Sequence, residues 1–310
     1  MATTTGTSSF NLDVNDLIEE AFERCGKQLR SGYDFRTARR SLNILTIEWA
    51  NRGINLWTIE QGVVPMVTGQ ATYPLPVDTI DLMDMVIRTQ PGTLNQIDIN
   101  ISRISESTYM TLPNKLAQGR PIQVWVNRQS GQSNPITATL AANVSSTDTT
   151  ITLTSTAEVG SSGFIQIDNE IISYPNVNGN QLLNCARGQN GTTATAHTAG
   201  AAITVQNLPS INVWPTPNAP GNQYTFVYYR MRRIQDTGSG AYVQDIPFRF
   251  IPCMVAGLAY QLSTKLEDVD PSRIMMLKAD YEQQFQLAAE EDREKASLRV
   301  VPRNTFYYGT

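Results

Sequence analysis

Two stretches of this chain, Ile122-Gln-Val-Trp-Val126 and Ile211-Asn-Val-Trp214, are near-copies of one another. Each alternates apolar with polar residues at a period of two, the mark of a half-buried strand, and each carries a tryptophan at a corresponding position. Strands so alike are ordinarily joined by a loop of roughly two to five residues, yet about 80 intervene here. A structureless loop of that length has no place in a compact domain. The spacing therefore predicts a small domain over 129–207, inserted at a hairpin tip, where exposed chain tolerates insertion.

The composition of that stretch agrees. From Ser133 to Asn207 there is one basic residue, Arg187, and no lysine or tryptophan; Thr, Ser, Asn, Ala and Gly abound. Short strands are expected at Thr150–Leu153, Gly163–Ile167, Ile171–Tyr174, Gln181–Cys185 and Ala202–Val205. Turn signals separate them, among them Ser161-Ser-Gly163, Asn178-Gly-Asn180 and Gly188-Gln-Asn-Gly191.

Helices are expected at both ends of the chain. Val14, Leu17, Ile18, Ala21, Phe22 and Cys25 recur at helical spacing behind Asp13 as N-cap, with Gly26 as terminator. A second helix is predicted from about Asp34 to Arg52, burying Ala38, Leu42, Leu45 and Trp49 and closed by Gly53. The short link Ser31-Gly32-Tyr33 favours an antiparallel pair. β structure follows around Leu56–Val67, Leu82–Thr89 and Ile97–Ile101, with a brief helix at Ile104–Met110 and a strong strand at Tyr224–Arg230. A helix is expected to bury Phe248, Ile251, Val255, Leu258, Ala259 and Leu262. The last helix starts at Asp270-Pro271, an N-cap followed by Pro at the first helical position, and is expected to run to about Leu298. The fold class is thus α+β: a helical bundle from both chain ends, a β-rich end, and the inserted all-β domain.

Charge and length exclude several functions. The net charge is −4 and no run of five basic residues occurs, which argues against a specific reader of nucleic acid. No apolar stretch approaches the ~20 residues that span a bilayer. The opening Met-Ala-Thr-Thr-Thr-Gly-Thr-Ser-Ser lacks the basic and apolar regions of a secretory signal and reads as a flexible polar arm over 1–9. Cys25, Cys185 and Cys253 are odd in number and far apart, as suits thiols in a reducing cytoplasm.

Catalytic signatures are missing too. His197, the single histidine, lies in a Thr/Ala/Gly-rich turn where an exposed polar role is expected. The cysteines show no zinc-binding spacing, and Gly188–Gly191 precedes no helix that could cradle phosphate. Acid groups close in sequence, Asp81 with Asp84, Glu267 with Asp268 and Asp270, and Glu290 with Glu291 and Asp292, suit a turn, a helix start and a solvated helical face. The chain reads as no enzyme and calls for no cofactor or metal. The densest basic spot is Arg230, Arg232 and Arg233, which suits a subunit interface, contact with DNA in a channel, or pairing with Asp236 and Asp245.

Four features together give a family likeness: the opening helix with Asp16-Leu-Ile-Glu-Glu-Ala21, the second ending Glu48-Trp-Ala-Asn-Arg-Gly53, the strand Tyr228-Tyr-Arg-Met-Arg-Arg233 followed by a helical pair, and the extended tail 300–310. In their order and spacing they resemble the head-to-tail adaptor (connector, gatekeeper) proteins of short-tailed bacteriophages, over residues 10–128 and 208–310. The stretch Gly163–Tyr174, with Leu183–Gly188 and Gly191–His197, is similar to small β modules of phage structural proteins, an insert the simplest adaptors lack. The likeness implies an adaptor core over 10–128 and 208–299, in a virion protein assembled in the host cytoplasm as a ring of twelve copies at the portal vertex. The ring would join portal to tail nozzle and let DNA pass through its lumen without specific binding. The tail 300–310 would reach the portal through Arg303, Phe306, Tyr307 and Tyr308. The rival expectations are a tail-associated binding module, in which the insert takes glycan or a tail fibre, and a cell-wall hydrolase.

Overall fold

The computed structural model describes residues 6, 10–129 and 131–293. Expectations for most of the 1–9 arm, for the last helix beyond 293 and for the 300–310 tail with Arg303, Phe306, Tyr307 and Tyr308 lie outside the described residues. Two compact units make up the chain: one from both ends (Met1–Trp57 with Ile234–Thr310) and one from the middle (Thr58–Arg233). Helices dominate the first and antiparallel sheets the second, an α+β arrangement.

The elements in chain order begin with α1 (Val14–Arg24), α2 (Gly32–Asn51), β1 (Ile59–Pro65), β2 (Thr72–Pro74), β3 (Thr79–Thr89), β4 (Ile97–Asn100) and β5 (Ser102–Ile104). Next are α3 (Glu106–Met110), β6 (Gln118–Gly119), β7 (Gln123–Asn127), β8 (Ser133–Thr139), β9 (Ile151–Thr152), β10 (Gly163–Ile167) and β11 (Glu170–Tyr174). The chain continues with β12 (Asn176–Asn178), β13 (Gln181–Leu183), β14 (Ala186–Gln189), β15 (Ala202–Gln206), β16 (Ser210–Trp214), β17 (Thr216–Pro217) and β18 (Tyr224–Arg232). It closes with α4 (Ile251–Ser263) and α5 (Pro271–Glu291).

In the helical unit, α1 starts where the Asp13 carboxylate accepts the Asp16 N–H at 2.9 Å and stops at Gly26, whose φ of +71° only glycine adopts freely. The α2 helix starts at Gly32, earlier than the apolar pattern implies. Ser31 caps the Asp34 N–H while the Asp34 carboxylate accepts from Ser31 N–H, so the expected link is already the helix start. Helix α4 is buried nearly all round, and α1, α2 and α5 pack on it. Gly257 makes this possible: a Cβ there would sit 2.8 Å from the Tyr281 ring and 2.9 Å from a Leu45 methyl. Helix α5 is capped by Asp270, which accepts from Ser272 N–H, with Pro271 in its first turn.

The far end of α5 corrects the sequence. The helix ends at Glu291, and Asp292, expected to lie inside it, leaves it so that its carboxylate accepts the Asn55 N–H at 2.6 Å and the Leu56 N–H at 3.2 Å. Those two amides emerge just past the end of α2, so the cap ties the ends of two helices together. Burial pushes the Asp292 carboxyl above its ordinary value against the pull of these amides.

The middle unit holds two apolar clusters. In the first, the sheet β1-β18-β3-β4 and the sheet β2-β16-β7-β5 contribute to one core that includes Tyr73, Leu75, Ile87, Val124, Ile211 and Phe226. The two near-copies meet there: β7 pairs antiparallel with β16, with Val124 opposite Val213 and Val126 opposite Ile211. The tryptophans point the other way, as the period of two requires. The second cluster, around Ile151, Ile165, Ile167, Ile172, Tyr174 and Ile203, lies wholly within 129–207. Its main sheet runs β14-β11-β10-β15-β8, and a small one runs β12-β13-β9.

Candidate interaction surfaces

The predicted basic spot sits on β18. Arg230 lies directly opposite Glu60 of β1 and donates to its carboxylate at 2.9 Å; it also donates to Asp78 and to Thr79 Oγ1. Arg232 donates through Nε to the other Glu60 oxygen. Both arginine side chains are about one-tenth exposed, so these are half-buried cross-strand pairs of the kind that fix register. Burial opposes the Arg230 charge, but Asp78 and Glu60 outweigh it and hold the guanidinium above its ordinary value. Arg233 donates its backbone N–H to Asp78 C=O, which secures the end of the strand. The sequence singles out these arginines but not Glu60 and Asp78, which lie more than 150 positions away.

The structure corrects the expectation for His197. The residue is 3% exposed, and each ring nitrogen lies 2.8 Å from a carboxylate oxygen, Nδ1 from Asp168 and Nε2 from Glu170. The Glu170 side chain is fully buried. It accepts two parallel bonds of 2.8 Å from Arg187, a bidentate pair, and two more from the Gly188 and Thr195 N–H groups. Arg187 spends its remaining donors on the carbonyls of Ser145, Asp148 and Thr195. One carboxylate thereby anchors the 187–197 loop to β11. With both ring nitrogens occupied by acids, His197 has none left to activate a hydroxyl or thiol, so the geometry is that of a structural clasp. The sequence carries a hint: Glu170 beside Ile171-Ile172, with a single arginine between Ser133 and Asn207.

Burial works against the Glu170 charge, yet the bonds from Arg187, Thr195, His197 and Gly188 prevail and bring its carboxyl from 4.5 down to about 2. A carboxyl depressed in the folded state stabilises above its unfolded value and loses that contribution as pH falls through the folded one. Thermal unfolding of the middle unit should therefore be insensitive to this group above about pH 5 and weaken progressively from about pH 4.5 to 2. Replacing Glu170 with Gln should flatten that part of the profile while lowering the whole curve.

Several of the other acids picked out by proximity have structural partners. Asp81 pairs with Arg103 at 2.8 Å and Arg128 at 3.3 Å, while Asp270 and Asp292 cap α5. The three cysteines are buried, and burial drives their thiols up, Cys25 to about 11 and Cys185 and Cys253 to about 12, which leaves them unreactive. Among the described residues, no helix is long and apolar enough to cross a membrane.

One exposed face of α5, from Met275 to Leu287, is uncharged and mixes apolar with amide side chains. Met275, Met276 and Leu287 are 69%, 59% and 55% exposed, with Ala279, Gln283 and Gln286 between them. Apolar side chains gathered on one exposed helix face mark an interaction surface.

No curated protein matches the chain. The sequence model for the SU10 adaptor protein matches residues 122–303, from the start of β7 to beyond α5. That is more than half of the chain, and it takes in the arginine strand, the buried clasp and the exposed α5 stripe. The chain belongs to the SU10 adaptor protein family, a family of phage structural proteins.

Proposed function

We propose that this protein is a head-to-tail connector, a ring of copies seated between the portal and the tail nozzle through whose lumen DNA passes. The match to an adaptor family over 122–303 carries this reading. In the ring the four long helices act as a bundle that forms the wall, and the β-rich middle faces the nozzle. The 129–207 stretch, with an apolar cluster of its own, is a separate small β domain on that end. The apolar stripe on α5 is the kind of surface a ring wall buries.

The same reading gives the arginine strand a supporting role. Arg230 and Arg232 are committed to Glu60 and Asp78, and the chain carries a net charge of −4, so the lumen holds DNA weakly and lets it slide. The tail 300–310 tethers the ring to the portal. Three consecutive aromatics, Phe306, Tyr307 and Tyr308, with Arg303, supply the residue types that dominate interface energetics, on a segment too short to build a core of its own.

Deletion of 300–310 tests the tether. Portal binding, followed by co-sedimentation with purified portal rings, should be lost, while circular dichroism and thermal unfolding of the shortened chain stay as in the full-length protein. Unchanged affinity for the portal would contradict the assignment.

A further inference from the structure

The outward faces of α1 and α2 carry opposite charge in matching order. On α1, Asp16, Glu19, Glu20 and Glu23 fall at helical spacing opposite the buried stripe of Val14, Leu17, Ile18 and Ala21. Among the described residues only Glu20 of these four has an ion-pair partner, Arg24. On α2, Tyr33, Arg36, Arg40, Ile44 and Ile47 form the outward stripe, opposite Ala38, Leu42, Leu45 and Trp49. Neither Arg36 nor Arg40 has an ion-pair partner among the described residues, and Ile44 and Ile47 are 48% and 54% exposed.

Both stripes carry like charges at i,i+4 (Asp16 with Glu20, Glu19 with Glu23, Arg36 with Arg40), an arrangement that costs an isolated helix a few tenths of a kcal/mol per pair. The two faces cannot relieve one another within a single chain, since each points away from the core that its own helix helps to build. A second copy can relieve both.

The apolar groups fix the direction. Phe10, 78% exposed, precedes the acids of α1, whereas Ile44 and Ile47 follow the arginines of α2. Laid antiparallel, the acids meet the arginines while Phe10 meets the isoleucines. The spacing fits: at ~1.5 Å per residue the arginine pair is centred roughly 11 Å from the isoleucine pair, and the acids roughly 10 Å from the Asp13 cap that Phe10 precedes.

We infer that the acidic face of α1 in one copy docks antiparallel on the Arg36/Arg40/Ile44/Ile47 face of α2 in the next. Because the two patches differ, every copy keeps one of each to offer, and such a heterologous contact propagates around a closed ring. The inference rests on the ring reading above and assigns its subunit contact.

The test uses full-length chain added to purified portal rings, with bound copies per ring counted by native mass spectrometry over a range of protein and salt concentrations. Wild type should fill the ring cooperatively, less readily at high salt. R36E/R40E should need at least about tenfold more protein for half-filling, since it sets like charges face to face. Adding E19R/E23R to that variant should recover most of the loss. Wild-type filling with R36E/R40E unchanged would overturn this contact and leave the ring reading standing. A weakened R36E/R40E that E19R/E23R does not rescue would overturn the pairing of these two faces. Wild-type chain that never gathers in several copies on the portal would overturn the ring reading, and the contact with it.

Discussion

Replacing Arg187 with methionine should destabilise the middle unit by about 3–5 kcal/mol, one of the two largest losses expected from a single substitution in this chain. The loss comes less from the attraction forfeited than from what remains. Glu170 stays in a site its side chain cannot leave, without the bidentate partner that supplies two of its hydrogen bonds. The carbonyls of Ser145 and Thr195 lose their donor as well, so the loops on either side of the clasp loosen together. Removing the carboxylate too, in Arg187→Met with Glu170→Leu, should recover only the part due to the uncompensated charge, because the Gly188 and Thr195 N–H groups and the His197 ring then lose their acceptor. Denaturant unfolding followed by fluorescence would read this, since Trp125 and Trp214 lie in the middle unit on either side of 129–207. An Arg187→Met midpoint equal to wild type would show that the clasp contributes nothing.

Trp49→Ala should cost the helical unit a comparable amount, about 3–5 kcal/mol, through a cavity that its neighbours cannot fill. Trp49 is fully buried, and its indole N–H donates to Tyr281 Oη at 3.2 Å, while Tyr281 donates to Glu48 at 3.0 Å. The substitution therefore also strips a buried hydroxyl of one partner and leaves α2 and α5 joined through Tyr281–Glu48 and Arg52–Glu282. Trp57, tilted against Phe250 in the same unit, provides the signal. The transition reported by Trp57 should shift to lower denaturant, and that of the middle unit should stay in place. Trp49→Phe, which keeps most of the volume and loses the hydrogen bond, should fall between the two. A single shared transition displaced by either substitution would show that the two units unfold as one.

The helices were legible because their signals are local. Asp13 and Gly26 bracket α1, Asp270-Pro271 opens α5, and the buried stripes repeat within a few turns. The pairing of β7 with β16 was legible for a different reason: the same alternation occurs twice, so each strand identifies its partner across the insert. Strands β8, β12 and β14 were not, since Ser133–Thr139 is mostly polar and Asn176–Asn178 and Ala186–Gln189 are short, and all take their place only from neighbours in the sheet. The burial of His197 is not visible in the sequence because nothing adjacent to it implies burial; Asp168 and Glu170 arrive from the β10–β11 turn. The partners of Arg230 and Arg232, and the amides that meet the Asp292 carboxylate, are likewise long-range. Pattern shows which face of an element is buried, while the particular group that meets a buried charge is decided by topology.

The central claim is one of place: a helical surface left open in the free chain is closed by copies of itself at the portal vertex. A cryo-electron-microscopy reconstruction of that vertex in the assembled particle tests it most directly. The account predicts a closed ring of this chain under the portal, with the α1 and α2 faces of neighbouring copies in contact and residues 300–310 lying on the portal. A reconstruction in which this chain occupies another part of the virion, or sits at the vertex with those helical faces bare, would contradict it.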